Sequence, residues 1–156
     1  MKTLVTGILA SALLVSAAPA ALAAARHTVD RLKSAQSDIY GNYVADGGGR
    51  SLYMFTPDKP GKGRQEARSV CYDACAEAWP PVLAKDLPRV SGKLDKKLLG
   101  TTKRKDGSTQ VTYGGWPLYY YVGDRGTGQI AGQDIHSFGG GWYLVSPDGS
   151  VIKREG

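Results

Sequence analysis

Two stretches of this chain, GGRSLYMFTPD at 48–58 and GGWPLYYYVGD at 114–124, align without a gap at a constant offset of 66. Leu52 matches Leu118, Tyr53 matches Tyr119, Phe55 matches Tyr121 and Asp58 matches Asp124. Further along, Trp79 in AWPPVL corresponds to Trp142 in GWYLVS at an offset of 63. A solenoid needs three or more copies before its hydrophobic faces are covered, so two copies point instead to one pseudo-symmetric domain with a shared core. At a period of two, Tyr53 and Phe55 face one side of a strand, and Leu52 and Met54 face the other. Tyr119 and Tyr121, then Leu118 and Tyr120, repeat that division. Apolar residues on both faces predict strands covered on both sides. The Asp that closes each copy is suited to bonding nearby backbone amides and starting a turn.

The remaining patterning is that of short strands and turns. IYGNYVAD (39–46) and SLYMF (51–55) flank Gly47 to Gly49, and GTTKRK and STQVTY flank Asp106-Gly107. WYLVS and SVIKR flank Pro147-Asp148-Gly149. These are hairpin signals, and TQVTY continues through Gly114-Gly115 into WPLYYYV as a meander. The fold expected is all-β, an antiparallel sheet domain built from two pseudo-symmetric repeats, about 40–84 and 100–150. One exception is the segment from Ser69 to Trp79, which is Ala-rich, lacks β-branched residues after Val70 and stops at Pro80-Pro81. It predicts a short helix around the two cysteines. Residues 26–37, RHTVDRLKSAQS, are polar without an apolar stripe, and 24–37 are expected to be a mobile N-terminal segment, leaving 38–156 as the single β domain.

Lys2 is followed by an Ala-rich apolar run ending in Ala21-Leu22-Ala23, which fits a secretory signal peptide over residues 1–23. Removing those from the 156 leaves 133 residues, one domain's worth, with 19 basic and 14 acidic side chains. The protein is therefore expected in the periplasm or outside the cell, with no transmembrane segment after signal removal. No cysteine near the cleavage site is present to carry a lipid. The basic residues form short separate runs, KGR at 62–64, DKK at 95–97 and KRK at 103–105, which suggests a solvated basic face and no nucleic-acid partner.

The pair of motifs Tyr-x-[Phe/Trp/Tyr]-x-x-Asp, YMFTPD and YYYVGD, encloses Cys-x-x-x-Cys-Ala-x-x-Trp-Pro-Pro and is followed by GGWYLVSPDG. Over roughly residues 40 to 150 this resembles the bacterial secreted-repeat family, predicted lipoproteins with a Yx(FWY)xxD motif. The resemblance implies an architecture and an exported location but no activity. The chain departs from the lipoprotein members in lacking a lipidated cysteine.

Chemistry is sparse. The sequence holds two histidines, His27 and His136, and no Gly-x-Ser-x-Gly elbow, His-Glu-x-x-His pair or phosphate-binding glycine loop, so no catalytic residue is assigned. Cys71 and Cys75 admit a disulfide, a redox pair or a metal site. Export favours the disulfide, with Cys71 ahead of the helix start, Tyr72 and Asp73 in a turn and Ala74 to Ala78 helical. Zinc lacks ligands and covalent haem lacks its motif. Copper, the alternative cofactor, would draw on Cys71, Cys75, His136 and Met54 as soft ligands in a periplasmic copper-handling or redox protein. Otherwise no cofactor is expected. A possible ligand surface comprises Trp116, Tyr120, His136, Phe138 and Tyr143, although most aromatics, Trp79 and Trp142 above all, suit the core. The glycine-rich stretch 123–141 is either a binding loop or a flexible connection. The function expected is an exported cell-envelope binding or structural module without catalytic activity, its partner an unknown envelope component.

Overall fold

A computed structural model describes residues 28–153. The signal-peptide segment and His27 lie outside the described residues. In chain order the elements are β1 (Arg31–Ser37), β2 (Gly41–Asp46), β3 (Tyr53–Phe55), α1 (Ala74–Ala78) and β4 (Arg89–Ser91), followed by a 3-10 turn (Lys96–Leu98). Then come β5 (Leu99–Lys103), β6 (Thr109–Tyr113), β7 (Trp116–Pro117), β8 (Ile135–Ser137) and β9 (Gly140–Leu144). They form three small sheets in the orders β2-β1-β4, β3-β9-β8 and β5-β6-β7, antiparallel throughout except for β1 against β4. The fold is all-β with one short helix.

The turns sit where the sequence places them. β5 and β6 close around Asp106-Gly107, with Lys103 opposite Thr109, and the Asp106 carboxylate accepts from the Ser108 amide at 3.0 Å. The Gly114-Gly115 turn from β6 to β7 has φ of 58° and 84°, the left-handed region that glycine enters without penalty. Gly114 is also required by space, because a Cβ there would lie 2.7 Å from the Gly149 backbone.

The two copies meet on a pseudo-twofold axis. Tyr53 and Tyr119, equivalent in the repeat, pair with each other, each amide donating to the other's carbonyl at 2.9 Å. Equivalent bonds radiate from that point: Leu52 donates to Val44, and Leu118 to Val111. The strand faces divide as period two requires. Leu52, Met54, Leu118 and Tyr120 enter one buried cluster with Val44, Val82, Val111 and Val145. Tyr53, Phe55 and Tyr119 enter a second with Trp79, Trp142, Leu144 and both cysteines.

The expectation that 24–37 is mobile needs correction over the described residues. Residues 31–37 are β1, the central strand of its sheet, paired with β2 from Leu32–Asp46 to Ser37–Gly41 and with β4 at three positions. Its apolar face is supplied by few residues: Leu32 is fully buried, joined by Val29 just upstream, while Arg31 and Gln36 are exposed. Hydrogen bonding on both edges holds a strand whose side chains carry almost no apolar signal.

Candidate functional site

The Tyr and Asp of each motif serve the opposite repeat. Tyr53 donates its hydroxyl to Asp124 at 2.6 Å, and Tyr119 donates to Asp58 at 2.7 Å. The other carboxylate oxygen of each Asp accepts a backbone amide, Val70 for Asp58 at 2.8 Å and Ala131 for Asp124 at 2.7 Å. Each Asp also ends the turn expected of it, its amide donating to Phe55 or Tyr121 at 3.1 Å. The motif is thus a reciprocal clasp across the pseudo-twofold axis. Burial pushes the Asp58 carboxyl up to about 6, against the downward pull of the Tyr119 hydroxyl, the Val70 amide and the Arg104 charge. Asp124 is raised for the same reason, opposed by Tyr53, the Ala131 amide and Arg50. Both phenols are pushed far up, by burial first and then by the facing carboxylate.

Beneath the clasp lies a run of stacked rings. Trp79 and Trp142 stack face to face at 3.9 Å between centroids and 1° between planes. Phe55 covers Trp142 at 4.0 Å, and Tyr121, its repeat equivalent, covers Trp79 at 4.2 Å. Tyr53 meets Trp79 edge-on, as Tyr119 meets Trp142. Both tryptophans are core anchors. The indole N–H of Trp142 is buried without a partner, and nothing in the structure explains it.

Cys71 and Cys75 are joined, with Cα atoms 5.2 Å apart. Cys71 precedes α1, and the helix is Ala74–Ala78 as expected. Asp73 takes a φ of 50°, which lets the chain turn into the helix inside the ring. The copper set is not brought together. The cysteine sulfurs bond each other, Met54 packs in the other core cluster, and His136 is exposed on β8. No group of three or more His, Cys, Asp or Glu with metal-binding geometry occurs among the described residues.

The aromatic surface set is likewise dispersed. Tyr120 is buried, its hydroxyl donating to Asp46 at 3.1 Å beneath the Arg50 guanidinium. Tyr143 is buried, and its hydroxyl lies 3.4 Å from His136 Nε2. Trp116 is half-buried against the first cluster, in a different sheet. Phe138 is exposed at the tip of the β8–β9 hairpin. Only His136 and Tyr143 adjoin. The stretch 123–141 is ordered by its own bonds: Gln129 accepts from Ser51, Gly128 donates to Gly49, and Gln133 bridges Ile152 and Leu144.

Sequence reasoning missed Arg104. It lies within the KRK run, whose composition suggests a solvated face, yet it is 6% exposed. Its guanidinium donates to Ser69 at 2.9 Å, Gln110 at 2.7 Å and the Cys71 carbonyl at 2.7 Å, and it stacks on Tyr72. Tyr119 gives its proton to Asp58, so Ser69 donates to Tyr119. A polar chain therefore runs from the Arg104 cation through Ser69 and Tyr119 to the Asp58 carboxylate. The sequence signal was the period-two relation of Arg104 to Thr102, itself buried with its hydroxyl on the Ala67 carbonyl.

The model of a family described as a secreted repeat of unknown function matches residues 35–83 and 100–146, one match per copy. The chain belongs to this family of secreted repeats. No curated protein and no solved structure matches it. None of the described helices is long and apolar enough to cross a membrane.

Proposed function

We propose that the protein is an exported, non-catalytic module of the cell envelope, working in the periplasm or outside the cell by binding an envelope component. The observation that carries this reading is the clasp. The residues that define the motif, Tyr53, Asp58, Tyr119 and Asp124, point into the core and pair with one another. Groups so engaged are unavailable to a substrate, and the raised carboxyl of Asp58 is a consequence of burial within a structural network. What remains for binding is the surface that the two clasped copies present. The test is sedimentation of the purified protein with cell-envelope fragments. The expected result is partition into the pellet that is saturable and independent of any turnover. Hydrolysis or oxidation of an envelope polymer that vanishes in His136→Ala would overturn the non-catalytic part.

A further inference from the structure

One of the short basic runs, Lys62 to Arg64, lines a surface groove. Residues 59–68, KPGKGRQEAR, hold four cations and one carboxylate. They form a tight excursion, with Lys59 paired to Arg68 and Lys62 to Gln65 by reciprocal backbone bonds of 2.8–3.0 Å. This excursion leans over the β5–β6 sheet, tied by the Thr102 hydroxyl to the Ala67 carbonyl and by the Gly61 amide to the Gly115 carbonyl at 2.9 Å. Between them lies a groove of about 270 Å³, with residues 61–67 as one wall, Leu98 and Leu99 opposite, and Gly100, Thr112 and Gly115 in its lining. Lys96 and Lys97 precede Leu98 in the 3-10 turn.

The lining is polar in a particular way. Glycines expose backbone where side chains would fill the space, and a Cβ on Gly100 would lie 2.8 Å from the Thr112 hydroxyl oxygen. That hydroxyl makes no hydrogen bond among the described residues. At the rim, Lys62 and Arg64 are exposed and, among the described residues, neither they nor Lys59 and Arg68 form an ion pair; the one pair present is Arg89–Asp30. Glu66 is the one carboxylate in the lining. The corresponding stretch of the second repeat, between Asp124 and Trp142, has a single cation, Arg125.

We propose that this groove binds an oxyanion carried on a linear anionic polymer. Lys62 and Arg64 meet the charge, and the Thr112 hydroxyl beside Gly100 bonds an oxygen. The groove, of about 270 Å³, has room for one anionic unit, free or on a chain, and the strength of its contacts favours the chain. Exposed cations are individually weak partners, so useful affinity needs successive anionic groups that also reach the exposed Lys59 and Arg68. The inference rests on the binding-module reading and gives it a ligand chemistry. Phosphate and carboxylate polymers share that chemistry.

The test is equilibrium binding of the exported protein to inorganic polyphosphate, to polygalacturonate, to orthophosphate and to vesicles containing phosphatidylglycerol. Binding to at least one polymer, weakening as salt rises, with orthophosphate far weaker, is expected. Whichever polymer binds identifies the anion. Lys62→Gln with Arg64→Gln should weaken it roughly five- to tenfold, and Glu66→Gln should tighten it. Thr112→Val should weaken binding without altering its salt dependence. The surface pair Lys33→Gln with Lys153→Gln, away from the groove, should change it far less. An equal loss in that control pair, or binding to vesicles alone, overturns the proposal. If both polymers fail while the protein still sediments with envelope fragments, the groove is refuted and the module reading stands. If sedimentation fails too, both fall.

Discussion

The two repeats share a frame and differ in how they connect it. Both place Tyr, Asp and Trp at equivalent points, and both present a backbone amide to the Asp, Val70 in the first copy and Ala131 in the second. The residue after that amide packs beside the aromatic stack, and here the copies diverge. In the first it is Cys71, fully buried and cross-linked into the turn before α1. In the second it is Gly132, where a Cβ would lie 2.8 Å from the Tyr53 ring and 3.0 Å from Trp79. One copy reaches its Trp through a stapled helical turn braced by Arg104, the other through a glycine-rich loop ending in the β8–β9 hairpin. The frame constrains the interior and leaves the connections free to differ, which is where a surface specific to one repeat arises.

The most severe test of an energetically shared frame is removal of its tryptophans. Trp79→Ala and Trp142→Ala each delete a fully buried indole from one stack. Each should cost about 3–5 kcal/mol by urea denaturation. The two losses should be similar, since each ring has one Trp and one smaller ring as stacking neighbours. A variant of either that unfolds like the parent would break the equivalence.

Proton linkage separates the clasps by a smaller amount. The Asp58 carboxyl sits at about 6 in the fold against an ordinary value of 3.8. A raised carboxyl contributes stability that is complete below 3.8 and is lost as pH rises through 6. The gap corresponds to roughly 3 kcal/mol. Stability from this group should therefore increase as pH is lowered from 7.5 to 4.5, and melting curves of Asp58→Asn should lack that part of the gain. Asp124 is displaced in the same direction, so Asp124→Asn should show a change of the same sign. A parent that loses stability relative to Asp58→Asn on acidification would contradict the burial argument.

The repeat, the strand faces, three hairpin turns and the bounds of α1 were legible in the residues, because each rests on local periodicity or turn chemistry. The exchange between repeats was not. Tyr53 reaches Asp124 across 71 residues, and no local pattern says that an Asp will ignore the Tyr of its own motif. Nor was β1 legible, since Leu32 alone carries its buried face. Arg104 was misjudged for a related reason: a charged run looks solvated until the strand's alternation shows one member facing inward. The surface groove depends on residues from 61 to 115 meeting in space, which spacing alone does not disclose.

The cross-link sharpens the contrast at the next level down. Cys71→Ser with Cys75→Ser opens so small a ring that loop entropy gives only about 2 kcal/mol. Gly132→Ala attacks the corresponding point of the other copy by crowding, an effect of about 1–3 kcal/mol. The two should be comparable, and both should disturb the Trp fluorescence, since both residues abut the stack. Intact mass of unreduced protein should fall two hydrogens short of the dithiol form. A disulfide variant that loses far more than this would mean the bond organises more than the turn before Trp79.

The smallest expected effect concerns the hairpin that only the second repeat possesses. Ser137 and Gly140 pair across the two-residue turn Phe138-Gly139, whose φ angles are 53° and 83°. Such a turn favours Asn or Gly at its first position, because a bulky side chain there crowds its own backbone. Phe138 is nonetheless present and half exposed, so its ring recovers little by burial. Phe138→Asn should therefore raise stability, by about 0.5–1 kcal/mol, read as a small upward shift in Tm. The first repeat offers the control: Asp73 also has a positive φ, at 50°, but with ψ of −129° it lies outside the left-handed helical well that suits Asn, so Asp73→Asn relieves nothing and should be close to neutral. A loss of stability in Phe138→Asn would show that the ring packs on the hairpin more than its exposure suggests. A gain in stability with weaker sedimentation on envelope fragments would place Phe138 at the contact surface, strain retained for binding.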